Sequence, residues 1–306
     1  VKSSVFACEL PVRAPYRLDF TADALRRLST NVVDRFEDGE YMRALQDRAG
    51  AAIVRVRQTS GDLLKLRIEG KGGERFVSTV ETMLGTQVDL RLWYRKCKPV
   101  PWLARLAQEV RGVKPPRYPT LWEALCHAII FQQISIVAAA AIMQRVIERF
   151  AVSIADGGVR LYAFPPPELI AAASVENLRA CGLSVNKASA LQSVAAAIGE
   201  GTFDPAAIEA LPSPQAIAEL CRLRGIGPWS ATVVLLRGLG RLDMFPLKDS
   251  GVAASLKALS GNQNVDLDRL LEQLGNQRGM LYFHLLLGRI AQRRSAAATA
   301  ATRPGS

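Results

Sequence analysis

The stretch Leu223-Arg224-Gly225-Ile226-Gly227-Pro228-Trp229-Ser230-Ala231 sets a glycine-pinched turn between two apolar helical segments. Upstream, Ser213-Pro214 supplies an N-cap and a first helical residue, so a helix is expected to run from Pro214 to Leu223 and to stop at Gly225. Pro228 restarts the next helix, which continues to Leu239. The product is two helices joined by a turn too tight for side chains. Glycine tolerates positive φ and close backbone approach, so the N–H groups of Gly225 and Gly227, with Ile226 between them and Ser230 just beyond, can face an anion at the positive end of the second helix. A Gly-x-Gly between helices also serves as a plain turn, and the hairpin alone does not decide between these uses.

Twenty residues past Trp229, in Phe245-Pro246-Leu247-Lys248-Asp249-Ser250-Gly251, stands an isolated carboxylate. Pro246 ends one segment and a new helix opens near Ser250, which places Asp249 at or near an N-cap. Capping alone accounts for an Asp there. An ionised carboxylate in that position also suits a developing sugar cation, by electrostatics or by steering a water.

Composition frames these motifs. With 306 residues the chain has room for two domains, and its 49% hydrophobic and 22% charged content is that of a globular protein. Lys and Arg outnumber Asp and Glu 39 to 28, a net charge of +11 that favours polyanionic partners through counterion release. The five cysteines, at 8, 97, 126, 181 and 221, form no C-x-x-C pair, which fits reduced thiols and speaks against a cysteine-ligated zinc or iron–sulfur site. The first residues lack the form of a secretory signal and no apolar run reaches membrane-spanning length; a soluble, cytoplasmic protein is expected.

Residues 1–111 read as an α+β domain with an antiparallel sheet. Phe6–Leu10, Ala52–Arg57 and Leu63–Ile68 alternate as half-buried strands do, the last two joined by a turn at Gly61-Asp62, and helices are expected over Thr21–Asn31, capped by Thr21, and Arg75–Leu84. Gly112-Val113-Lys114-Pro115-Pro116-Arg117-Tyr118-Pro119 breaks the chain. Residues 112–294 then read as all-helical, beginning with one long helix over Thr120–Phe150 and with a turn at Gly157-Gly158; the Ala-rich residues 295–306 read as a frayed tail.

Taken together, Leu223–Ala231 and Phe245–Gly251 at this spacing resemble the helix–hairpin–helix superfamily of base-excision DNA glycosylases, and more narrowly its 3-methyladenine DNA glycosylase II branch. Three further stretches agree: Ile129-Ile130-Phe131-Gln132-Gln133-Ile134-Ser135, Gly182-Leu183-Ser184-Val185-Asn186-Lys187-Ala188, and Arg278 through His284. The resemblance covers residues 112–293 well and the N-terminal domain more loosely. It implies a monofunctional enzyme that hydrolyses the N-glycosidic bond of an alkylated base in duplex DNA, acting as a monomer. Asp249 would be the catalytic carboxylate, and Trp229, Val233 and Leu286 would form the base pocket. Gly225, Ile226, Gly227, Ser230 and Lys248 would meet the DNA backbone, Gln132 would sit near the gap left by the extruded nucleotide, and Arg117 or Tyr118 would wedge into the duplex. The carbonyls of Cys221, Leu223 and Ile226 would hold a structural sodium or potassium ion, with no other cofactor required.

Within that superfamily, bifunctional members carry a Schiff-base lysine just after the hairpin; here the slot is Trp229, so lyase chemistry is not expected. No cysteine follows Cys221, which removes the C-terminal iron–sulfur cluster of other branches. Trp229 suits stacking on a flipped, cationic base, although a core tryptophan is the plainer alternative. His127 and His284, among apolar neighbours, are expected to be satisfied core histidines. Two departures stand out. Lys248 occupies a place where some relatives have an acid, and is expected to point outward toward phosphate. Val233 and Leu286 replace pocket aromatics, which leaves the preferred base open: a glycosylase for oxidised or deaminated bases such as hypoxanthine, and a non-enzymatic binder of damaged DNA, are the rival readings.

Overall fold

The computed structural model describes residues 4–28, 30–156, 159–261 and 263–301. Its N-terminal layer is an antiparallel sheet of β1 (Val5–Pro11), β2 (Arg35–Glu37), β3 (Glu40–Asp47), β4 (Gly50–Gln58) and β5 (Leu63–Glu69), in the order β1-β5-β4-β3-β2. In β5, Leu64, Leu66 and Ile68 are buried while Lys65 and Arg67 face solvent, the period-two pattern of a half-covered strand. The register pairs Val56 with Leu66 and Val54 with Ile68. Onto this face pack α1 (Leu18–Arg26) and α2 (Val77–Leu84), through Leu18, Ala22, Leu25, Val80, Met83 and Leu84.

Next come α3 (Arg91–Cys97) and α4 (Pro101–Glu109), followed by α5 (Leu121–Ile130), α6 (Ile136–Phe150), a hairpin of β6 (Ser153–Asp156) and β7 (Val159–Tyr162), and then α7 (Pro167–Ala172), α8 (Val175–Ala180), α9 (Val185–Gly199) and α10 (Pro205–Ala210). The chain closes with α11 (Ser213–Leu220), α12 (Pro228–Gly238), α13 (Ser250–Leu259), α14 (Leu267–Leu274) and α15 (Arg278–Ala301). Trp93, Trp102, Leu103 and Leu106 of α3 and α4 share a core with Leu270, Leu274, Phe283 and Leu287 of α14 and α15. Residues 91–110 therefore pack with the last helices of the chain, although the proline-rich joint follows them in sequence. None of the helices, among the described residues, is long and apolar enough to cross a membrane.

The structure departs from the sequence expectations at several elements. The helix expected over Thr120–Phe150 is two helices, broken where Gln133 takes φ 56° and Ser135 caps α6 by accepting from Ala138 N. Thr21 does not cap α1; it sits inside the helix and donates its hydroxyl to Arg17 O at 2.8 Å. β2, β3 and the β6–β7 hairpin are not among the strands that the sequence pattern predicts. β3 buries five consecutive residues, Tyr41 to Leu45, because α5 and the β6–β7 hairpin cover what an isolated sheet would expose, and that erases its alternation. The turn expected at Gly157-Gly158 lies outside the described residues. Helix α15 carries on to Ala301, past the boundary read at 294, and residues 302–306 lie outside the described residues.

Arginines tie the two layers together. Arg43 of β3, fully buried, pairs with Asp34 at 2.8 Å and with Glu123 of α5. Arg237 of α12 donates to Ala24 O at 2.9 Å and Leu25 O at 3.2 Å, filling carbonyls that the last turn of α1 leaves open.

Candidate active site

A cavity of about 990 Å³ opens between the α11–α12 turn, the start of α13 and the face of α15. Gly225, Gly227, Trp229 and Ser230 line one side; Lys248, Asp249 and Ser250 line another; Tyr282, Leu285, Leu286 and Arg289 complete it. The two motifs read from sequence thus face one space.

The hairpin owes its shape to two glycines used differently. Gly225 has φ 81°, and a Cβ there would lie 2.7 Å from the Cβ of Ala190, so both the backbone and the packing exclude a side chain. Gly227 is extended, at φ −100° and ψ 179°, with nothing within 4 Å of a Cβ position. Its openness, rather than left-handed backbone, is what it offers: bare approach to the first turn of α12, whose leading N–H groups have no partner within the helix. Ile226 is buried beneath the turn and donates its N–H to Leu223 O at 3.1 Å. Helix α11 ends at Leu220, with Pro212 as its cap and Ser213 as its first residue, slightly ahead of the expected span.

Gln132 is drawn into this hairpin. Its side-chain amide donates to Gly225 O at 2.8 Å and to Ser230 Oγ at 2.6 Å. The α5–α6 loop that carries it is itself held by Lys187, whose ammonium donates to Ile130 O and Gln132 O, both at 2.7 Å. The Gly182–Ala188 segment therefore acts on the site through its lysine, as a clamp on the carbonyl end of α5. Nothing local to Lys187 in sequence announces that target.

Asp249 is the N-cap of α13, its Oδ1 accepting from Val252 N at 3.0 Å. The cap fixes the carboxylate at the cavity wall, half-buried. Lys248 beside it adopts φ 61°, an uncommon conformation for a side-chain-bearing residue, and is exposed.

Trp229, Val233 and Leu286 line the same cavity. Trp229 is half-buried and its indole Nε1 is buried without a hydrogen-bond partner, unlike a settled core tryptophan. Sequence reading finds few aromatics here because the others arrive from distant elements: Tyr118 of the proline-rich joint, His127 and Phe131 of the α5 end, and Tyr282 of α15. His284 is the expected core histidine: Nε2 accepts from Trp93 Nε1 at 2.9 Å, Nδ1 faces Met280 O at 2.9 Å, and burial pushes its pKa down to about 4. His127 departs from expectation. It stacks on Tyr118 at 4.2 Å, lines the cavity, and leaves Nδ1 without a partner. Burial, reinforced by Arg27, Arg237 and Arg43, holds it neutral.

The two wedge candidates are placed elsewhere. Tyr118 is buried within the cavity wall, under the Arg237 guanidinium at 4.7 Å, and has no free face to present to a duplex. Arg117 packs over Gly240 and is not part of the cavity lining. The joint that looks like an exposed loop in sequence is pinned by Arg117 N to Met83 O and Tyr118 N to Arg237 O, at 2.9 and 2.7 Å.

Residues 126–278, half of the chain, match the family model described as HhH-GPD superfamily base excision DNA repair protein. The chain is 30% identical over 200 residues to a DNA-3-methyladenine glycosylase of Bacillus subtilis (strain 168), a match that spans 65% of this chain and 66% of that relative. In structure it is similar to the 3-methyladenine DNA-glycosylase from Archaeoglobus fulgidus, with TM-score 0.79 and 25% identity over 92% of this chain and 97% of that one. It is also similar to the Schizosaccharomyces pombe 3-methyladenine DNA glycosylase Mag1 in complex with abasic DNA, with TM-score 0.53 and 25% identity over 63% of this chain and 94% of that one. The chain belongs to the HhH-GPD superfamily of base excision DNA repair proteins.

Proposed function

We propose that this protein is a monofunctional DNA glycosylase that removes alkylated bases of the 3-methyladenine type from duplex DNA. The observation that carries the reading is one cavity shared by a backbone-presenting hairpin, a capped carboxylate and an indole, on a chain of net charge +11. The hairpin N–H groups and Lys248 take the DNA backbone, with the long-range field of the basic surface behind them. The extruded base enters beside Trp229, over Val233 and Leu286. Asp249, with Oδ1 committed to Val252 N, turns its remaining charge on C1′ as the glycosidic bond breaks, or orients the attacking water. A cationic alkylated purine is already a good leaving group, so modest help suffices.

The Trp229 slot supplies no amine for a Schiff base, hence no strand cleavage is expected. The enzyme acts as a monomer and needs no redox cofactor. The carbonyls of Cys221, Leu223 and Ile226 would hold a sodium or potassium ion; the 3.1 Å bond from Ile226 N to Leu223 O curls them into one tight turn, and neutral oxygens suit an alkali cation. Such an ion would add positive charge beneath the phosphate.

The test is single-turnover base release from a duplex carrying one 3-methyladenine, for the wild type and Asp249→Asn. Asn keeps the cap, so the expected result is retained folding and duplex binding with release slowed by at least ~100-fold. The product strand should stay unbroken until alkali is added. Equal release by both proteins removes Asp249 from the mechanism. Duplex binding with no release by the wild type favours a binder of damaged DNA.

A further inference from the structure

The positive charge of the chain is unevenly spread. Residues 91–119 hold eight Lys and Arg against one carboxylate, Glu109, and so carry seven of the eleven net positive charges. Two of the eight are taken up by the fold: the Lys114 ammonium donates to Arg13 O and Val88 O at 2.7 and 2.6 Å, and Arg117 packs over Gly240. Most of the others face solvent from α3 and α4. Arg91, Arg95 and Lys98 recur at i, i+4 and i+7, one stripe of a helix, and all three are exposed; Lys98, the C-cap residue of α3, keeps helical backbone. Trp93 and Cys97 take the opposite face and bury it in the core shared with α14 and α15. On α4, Arg105 is exposed beside the buried Leu106.

A stripe of one sign is a cost to the helix that carries it, because like charges at i and i+4 repel. The helix dipole accounts for Arg95 and Lys96 in the last turn of α3, but it opposes Arg91 in the first. Elsewhere the surface arginines are neutralised: on the sheet, Arg55 and Arg57 pair with Glu40 at 2.6 and 2.8 Å, and Arg67 with Glu69 at 3.0 Å. On the stripe, Arg91 pairs with Asp89 at 2.6 Å. Among the described residues, no carboxylate lies within ion-pair distance of Arg95, Lys98 or Arg105. A rise of ~1.5 Å per residue spreads the stripe over about 10 Å, a length on which one strand of duplex DNA presents about three phosphates. The patch also adjoins the elements of the catalytic site. A Cβ on Gly288 of α15 would stand 2.9 Å from Leu106 of α4 and 2.8 Å from Leu259 of α13. The next residue, Arg289, lines the catalytic cavity, and Lys257 of α13 lines a second cavity of about 510 Å³ that shares Lys248 and Asp249 with the first.

We propose that the α3 stripe, with Arg105, is a second DNA-binding surface, outside the catalytic cavity, that holds the phosphate backbone of the same duplex beyond the helical turn containing the lesion. It reads no base, since cations on an exposed helix face meet phosphate oxygens, and every sequence presents those alike. The proposal rests on duplex DNA being the substrate and not on which base is removed. Contacts of this kind lend affinity on undamaged flanks and keep the enzyme on the DNA between lesions.

The experiment measures affinity between about 50 and about 200 mM salt for two duplexes, one of about ten base pairs (a single helical turn) and one of about forty, each with a stable abasic-site analogue at its centre. Three proteins are compared: the wild type, a stripe variant combining Arg91→Gln, Arg95→Gln and Lys98→Gln, and a control combining Arg35→Gln, Arg57→Gln and Arg67→Gln. The control removes the same net charge from arginines that are already ion-paired on the sheet. On the longer duplex the salt slope of the stripe variant should fall by about 2.7, so that over this range the wild type loses ~40-fold more affinity than the variant. On the short duplex the two slopes should agree, and the control should match the wild type on both. Replacing Arg91 and Arg95 by Lys instead should preserve the wild-type slope. Single-turnover release from a short 3-methyladenine duplex should be the same in all of these proteins. An unchanged slope on the longer duplex overturns the proposal and makes the stripe a solvated face. A slope reduced equally on both lengths overturns it by placing the contact within the turn of the lesion. An equal reduction in the control overturns it too, because net charge alone then suffices. If the wild type releases no base, the glycosylase reading fails while the slopes still decide the DNA surface. Should the triple variant fail to fold, Arg95→Gln alone decides, with an expected fall in slope of about 0.9.

Discussion

Gly225 and Gly227 look alike in sequence and are expected to fail differently. At Gly225 an alanine meets both a left-handed backbone and the Ala190 methyl 2.7 Å away, so Gly225→Ala should cost ~2 kcal/mol in urea unfolding, from the backbone conformation alone. At Gly227 the backbone is extended and the Cβ position is open, so Gly227→Ala should leave stability within ~0.5 kcal/mol of wild type. Its added methyl stands where a phosphate would approach, and duplex affinity should fall about tenfold, the worth of one charge-assisted hydrogen bond. Denaturation and binding curves on the two variants separate the roles. Asp249 shows the same economy: one oxygen caps α13 while the carboxylate faces the cavity, so the cap that explains it blandly is also what aims it.

At the scale of elements, the break between α5 and α6 matters most. A continuous helix over Thr120–Phe150 would carry Gln132 away on a regular helical face. The break instead lets its amide reach Gly225 O and Ser230 Oγ. Lys187 holds the open end by donating to two carbonyls, with burial drawing its pKa down. Lys187→Met is expected to lower stability by ~2 kcal/mol, as for loss of a hydrogen bond to a charged group, and to slow base release by freeing the loop. Chemical denaturation and single-turnover kinetics read the two effects. If stability falls and release does not, the clamp serves the fold alone. Apolar periodicity reports helix across this whole stretch because both halves bury one face; only Ser135, a good N-cap, hints at the restart.

At the scale of the whole molecule, the layers are joined by buried charge. Arg43→Met would leave Asp34 and Glu123 without their cation in the interior, and should cost ~3–5 kcal/mol, measured by thermal and urea melting. A second joint, Trp93 of α3 to His284 of α15, is pH-sensitive. Burial lowers the His284 pKa from 6.5 to about 4, so the folded state binds that proton less readily than the unfolded chain. Its contribution is therefore complete above pH ~6.5 and is lost as pH falls through ~4, a change on the order of 3 kcal/mol. Thermal melting from pH 7 to pH 4 should show this acid limb, and His284→Gln should weaken it, leaving the part contributed by His127, which burial also holds neutral. An unchanged limb in the variant assigns the acid sensitivity to other groups.

What the sequence by itself determined is what short-range backbone rules dictate. The glycine turn before Pro228, the N-cap at Asp249, the alternating strands and the helical class of the second half each follow from φ preference, capping or periodicity within a few residues. The resemblance to the glycosylases rests on those same local signals at fixed spacing. What only the tertiary structure decided is which distant groups converge. Arg27 comes from 222 residues before Asp249. The aromatic wall of Tyr118, Phe131 and Tyr282 is drawn from three separate elements, and the loop expected to supply a wedge is buried instead. Chain distance carries no information about such encounters, because they are set by how the apolar cores and the buried arginines bring the sheet layer against the helices.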